Sequence, residues 1–141
     1  MVSQAYAKLA TEIGQGNLSW TSDTIKILLV TDAYTYDENH DFVNDVSGSE
    51  ATGATRQTLA SPVFTPDTAN DRVVYDAADA TFLAVTSAQT ISGAVVYKEV
   101  TDDTDSPLIA FLDGTDLAAN GSDIQVQFAA TGVFYVSYAS A

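Results

Sequence analysis

From Gly53 onward the chain is cut into short apolar runs by turn residues, and that spacing constrains the fold more than any other feature. Strands are expected at Arg56–Leu59, Val63–Thr65, Arg72–Tyr75, Thr81–Val85, Ile91–Val100, Leu108–Leu112, Ile124–Phe128 and Val133–Tyr138. Intervals of roughly 8–12 residues between turn signals are those of an all-β sandwich or barrel. Pro62 and Pro66 suit edge positions, because proline cannot donate to a ladder, and Gly93 marks a bulge. Ile124–Phe128 alternates strictly, so one of its faces meets water or another protein. The segments Thr101–Ser106 and Asp113–Ser122 are expected as polar connections.

Two segments precede this β region. Val2, Tyr6, Leu9 and Ile13 fall on one stripe of a 3.6-residue helix over residues 2–14, ended by Gly14 and Gly16. Ile25–Val30 is a continuous run with β-branched residues, a strand buried on much of both faces. Between Thr31 and Gly53 lies a polar stretch without alternation, an ordered loop in which Phe42, Val43 and Val46 share one side of a helical turn. The expected architecture is an antiparallel β-sandwich or barrel of jelly-roll or Greek-key type, one domain over residues 1–141. Residues 1–16 form its amino-terminal helical arm. A helix that short does not hold in water by itself, so its apolar stripe must dock.

Charge excludes several functions. The 141 residues carry 5 Lys+Arg against 19 Asp+Glu, a formal charge of −14. Five dispersed cations (Lys8, Lys26, Arg56, Arg72, Lys98) cannot supply the clustered positive surface that nucleic acid requires, nor hold an anionic membrane. No apolar run approaches the roughly 20 residues of a spanning helix, and no basic region followed by an apolar core suggests a secretory signal. There is no cysteine, which removes disulfides, thiolate zinc sites and thiol nucleophiles.

Catalysis has little to build on. His40 is the only imidazole and no G-x-S-x-G elbow accompanies it, so no catalytic residue is assigned. Asp37, Asn39 and Asp41 imitate the first positions of a calcium loop. Phe42 then stands where that loop needs Gly, and Gly48 where it needs Glu. The cluster Asp102, Asp103, Asp105 reads as a solvated hairpin tip, so no metal or cofactor is expected. Tyr34 and Tyr36 stand two apart in a polar loop, as contact residues or as part of a loop folded back over the sandwich. With Trp20 they are also the stacking platforms that a glycan-binding module would use.

The order and spacing of several short motifs carry a resemblance. They are 22–29 (SDTIKILL), Tyr34, 40–42 (HDF) with Asp45-Val46, 50–53 (EATG), 76–79 (DAAD), 94–98 (AVVYK), 106–110 (SPLIA) and 124–128 with Thr131-Gly132. Over residues 18–134 this resembles a family of small structural proteins of tailed bacteriophages. The chain departs from it at 53–59, where a Gly-Tyr-x-x-Gly-Gly stretch is missing, and at Phe82, where a Trp is common. The resemblance implies a virion component without catalytic residues. A head-decoration (cement) protein is expected, binding the major capsid protein and copies of itself, plausibly as a trimer, and made in the host cytoplasm. A tail or baseplate component is the alternative, and a carbohydrate-binding module a further one. Candidate interface residues are Val2, Tyr6, Leu9, Ile13, Trp20, Tyr34, Tyr36 and Phe42. The face toward the shell is expected to be the less acidic one.

Overall fold

The computed structural model describes residues 2–138. Its centre is a five-stranded antiparallel sheet built from β1 (Val2–Ala5), β2 (Ile25–Thr31), β3 (Gln57–Thr58), β7 (Thr90–Lys98) and β8 (Leu108–Ala118), in the order β1-β8-β7-β2-β3. Strands β4 (Val63–Asp67), β5 (Arg72–Asp76) and β10 (Phe134–Ser137) make a second sheet in the order β10-β5-β4, and β6 (Ala80–Phe82) pairs with β9 (Ile124–Val126). The one α-helix among the described residues is α1 (Ala7–Gly14). The protein is thus an all-β sandwich with a short amino-terminal helix.

Alternation along β2 and β7 explains why three layers form. Ile25, Ile27 and Leu29, with Ala94 and Val96, face one side of the central sheet, where Trp20, Phe82, Val85, Val126, Val133 and Phe134 cover them. Leu28, Val30, Val95 and Tyr97 face the other side, together with Phe111. A strand with both faces apolar needs two covers, and the second is supplied by the segment between Thr31 and Glu50. Val43 and Val46 are buried there, at two short 3-10 turns (Val43–Asp45 and Ser47–Ser49), and Tyr34 and Tyr36 pack on Phe111. Ring centroids lie 5.1 Å (edge-on) and 5.8 Å (stacked) from that phenylalanine.

The expected strands at 25–30, 63–65, 72–75 and 91–100 are present within a residue or two of their bounds. Gly93 sits at a register slip between Ile91 and Gly93. A Cβ built there would meet the Leu112 carbonyl at 2.4 Å and the Phe111 ring at 2.8 Å, so only glycine fits between β7 and β8. β4 is an edge strand, as Pro66 within it requires.

Two expectations are corrected. Residues 2–5 are strand, not the first turn of a helix: Val2 pairs with Asp113 and Ala5 with Ala110, and the Tyr6 amide continues the ladder to the Ile109 carbonyl. An isolated turn of helix is marginal, whereas β8 offers an unpaired edge, so the ladder prevails. The stripe is broken accordingly, with Tyr6 buried on the loop-covered face and Leu9 in the other cluster. Residues 113–118 are likewise not a polar crossing. β8 continues through them to pair Leu117 with Ile91 and Ala118 with Thr90, because β7 beyond its bulge still requires a partner.

One cation ties the covering loop to the sheet. Arg56 Nε and Nη2 donate to the two Glu50 carboxylate oxygens at 2.7 and 2.6 Å, and Nη1 and Nη2 donate to Asp103 at 2.7 and 3.0 Å. The guanidinium lies over the Tyr97 ring, 5.7 Å from its centroid. The planar fork spans both carboxylates at once, which a lysine cannot do. Its hydrogen bonds hold the Asp103 carboxyl below the usual range. Replacing Arg56 with Met should lower stability by about 1–2 kcal/mol, the pair being partly solvated, and Arg56→Lys should not restore it. Because the Asp103 carboxyl is depressed in the folded state, the difference between wild type and Arg56→Met should be full near neutrality. It should shrink as pH falls below the ordinary aspartate range. Urea denaturation at several pH values checks both.

The tyrosine hydroxyls of the second cluster form a chain: Tyr6 and Tyr34 lie 2.7 Å apart, and Tyr34 Oη is 3.1 Å from His40 Nδ1. Tyr36 donates to the Ala5 carbonyl at 2.6 Å. Burial raises the pKa of Tyr6, Tyr34, Tyr36 and Tyr97 above that of a free phenol. Above the free value the unfolded chain ionises first and binds fewer protons than the folded one, so the tyrosines' contribution to stability should be level below about pH 9 and fall beyond pH 10. Tyrosinate absorbance should lag behind that of denatured protein, and Tyr6→Phe should reduce the lag. A Gly93→Ala variant should lose about 1–3 kcal/mol or more through overpacking, read as a lowered urea midpoint.

Candidate interaction surface

Each of the five lysine and arginine side chains is engaged within the protein. Lys8 pairs with Glu12 at 2.9 Å, Lys26 with Glu99 at 2.8 Å, Arg72 with Asp67 at 2.8 Å and Lys98 with Asp23 at 3.1 Å, besides the Arg56 fork. These five cations occupy six of the 19 acids, which leaves 13 acidic side chains without a cationic partner. Some of these carboxylates serve as loop caps. Asp105 Oδ1 accepts the Thr101 and Asp102 amides, Asp102 Oδ1 accepts Thr104, and Asp37 Oδ1 accepts the Asn39 amide. The amides hold the Asp105 carboxyl below its usual range. Among the described residues no set of three or more His, Asp and Glu is arranged to hold a metal.

Two regions of the surface interrupt this acidity among the described residues: a cleft that Ser92, Thr115, Leu117 and Gln125 help to line, and a seam between sheet edges. β1 and β10, the edges of the two larger sheets, come together where Ser3 Oγ donates to the Val133 carbonyl, and α1 lies alongside them. Two adjoining grooves run along this seam. One of about 520 Å³ lies between β1 and Thr131–Tyr135, and one of about 490 Å³ lies between α1 and β10. The second is floored by Leu9, Ala10, Ile13, Phe134 and Val136, and among the described residues no charged one lines either groove. Val2 is 66% exposed there, Ile13 42%, Tyr135 48% and Val136 44%. An uncharged apolar seam on a chain so acidic is the surface suited to a protein contact.

The seam uses some of the residues expected from sequence and leaves out others. Val2 and Ile13 are exposed on it, and Leu9 forms its floor from a buried position. Tyr6 is buried, although its edge lines the groove. Trp20 is no contact residue: only 3% exposed, it donates its indole N–H to the Asp76 carbonyl at 3.0 Å and packs edge-on against Tyr75 and Phe134. That placement removes it as a glycan platform. Tyr34, Tyr36 and Phe42 lie apart from the seam, in the covering loop. The two tyrosines serve as packing for the sheet, and Phe42 is half-buried with the Lys8 ammonium 4.7 Å from its ring centre.

Sequence reasoning missed Tyr135 and Val136. Their signal was the run 133–136, four apolar residues without alternation. A terminal strand of that kind is apolar on both faces, yet only Phe134 of β10 is buried.

Comparison of the chain with protein-family models, with curated proteins and with solved structures finds no match.

Proposed function

We propose that this chain is a non-enzymatic structural protein of a virion, a head-decoration protein that binds the major capsid protein and copies of itself. The observation that carries the reading is the uncharged apolar seam of β1, α1 and β10 on a surface whose cations are all internally paired. Such a surface suits adhesion through one face and mutual repulsion through the others, which keeps particles dispersed. The resemblance of the motifs from 22–29 through 124–128 to small structural proteins of tailed phages also supports the reading.

Binding would work by burying apolar area at the seam, a standard contact taking about 1,600 Å² in total. Counting the chain in purified particles by mass spectrometry, with a particle map to locate it, tests the reading. Copies spread over the shell are expected, and Ile13→Asp should abolish attachment without unfolding the protein. Copies confined to one vertex would replace decoration with a tail or baseplate role. Absence from particles would overturn the virion reading altogether.

A further inference from the structure

The free edge of β10 adds a second kind of information to the seam, because backbone groups specify what can pair with them. In the β10–β5 ladder the Tyr138 amide donates to the Asp71 carbonyl, and the register pairs Val136 with Val73 and Phe134 with Tyr75. Antiparallel ladders alternate, so Phe134, Val136 and Tyr138 turn their N–H and C=O toward β5, while Tyr135 and Ser137 turn theirs away. Among the described residues neither of these outward amides nor their carbonyls has a partner. Helix α1 flanks that edge, and the groove of about 490 Å³ lies between the two. The volume falls within the range of ligand grooves.

We propose that this groove takes an extended peptide segment of a partner as an added strand, paired with Tyr135 and Ser137. The segment would place apolar side chains at alternate positions over Ala10, Ile13 and Val136, and would carry Lys or Arg on its flanks. Strand addition supplies hydrogen bonds from the edge, and period-two pockets select side chains. The groove holds no charge, so the central residues are neutral. The 13 acids without a Lys or Arg partner among the described residues, on a chain of net charge −14, attract basic flanks. A second copy is disfavoured as the occupant of this groove, because it brings the same net charge of −14; contacts between copies in the virion reading fall outside it. This inference goes beyond the virion reading and does not depend on it, since it concerns the isolated chain.

The test uses the purified chain and a synthetic peptide of alternating Val and Thr with a pair of Lys at each end. Binding should protect the Tyr135 and Ser137 amides from hydrogen exchange at least about tenfold, and the affinity should weaken as salt rises. Ser137→Pro deletes an N–H that the fold does not use and should weaken binding about tenfold, the worth of roughly one backbone hydrogen bond. Should that variant fail to fold, Ile13→Asp and the amide protection pattern decide the matter. Equal binding of a peptide with every Val replaced by Ser would overturn the proposal in favour of charge adhesion alone. Sedimentation of the free chain as a dimer that Ser137→Pro dissociates would overturn it in favour of a second copy. No protection of the two amides at saturating peptide would overturn it outright. None of these outcomes bears on the copy number in particles, so the two readings fail separately.

Discussion

A central sheet apolar on both faces is the constraint on which the rest of this structure depends. β2 has no residue that is more than partly exposed, and the middle of β7 is buried to either side. Such a sheet cannot be left half-solvated in the manner of a simple meander. One cover is conventional, a pair of smaller sheets. The other is a loop without regular strands, and its demands explain several otherwise unrelated features. Two tyrosine rings stack where hydrophobic strand residues would normally lie, short 3-10 turns present Val43 and Val46, and the Arg56 fork joins Glu50 at the end of that loop to Asp103 at the tip of the β7–β8 hairpin. Ser106, buried at the same tip, accounts for its hydroxyl by donating to the Asp102 carbonyl and accepting the Val100 amide.

The strands of the second half could be read from sequence because each is short, rich in β-branched residues and bounded by turn chemistry that acts locally. What could not be read was decided at a distance. Val2–Ala5 becomes a strand only because β8, more than a hundred residues away in the chain, leaves an edge open. Residues 113–118 stay extended because β7 continues past its bulge, a requirement invisible in the polar sequence DGTDLA. Tyr34 and Tyr36 looked like contact residues because nothing near them in sequence is apolar, while the Phe111 ring on which they rest comes from another strand. The seam was half visible: the helical stripe named Leu9 and Ile13, but not the edge strand beside them.

The surface shows a division of labour between the two charge signs. Lysines and arginines are used for internal fastening, each held by a carboxylate, and three of them also cover an aromatic ring, Lys8 on Phe42, Arg56 on Tyr97 and Arg72 on Tyr135. Acids are used partly as caps, receiving backbone amides in turns where no other acceptor is at hand. The remainder leave a negative envelope, interrupted among the described residues by the seam and by an uncharged cleft beside β7 and β8. Net charge on such a molecule describes its surroundings better than its core, since almost every buried side chain is apolar and Ser106 is the one buried polar residue among those described.

The contact between Ser3 and Val133 spans 130 positions of the chain. A surface assembled from strands so far apart has no counterpart in any partly folded intermediate, because neither edge alone has the other wall of the groove. Whatever docks on the seam therefore inspects the finished tertiary structure rather than a local sequence. Chains that have misplaced either edge strand would be passed over without any separate proofreading step.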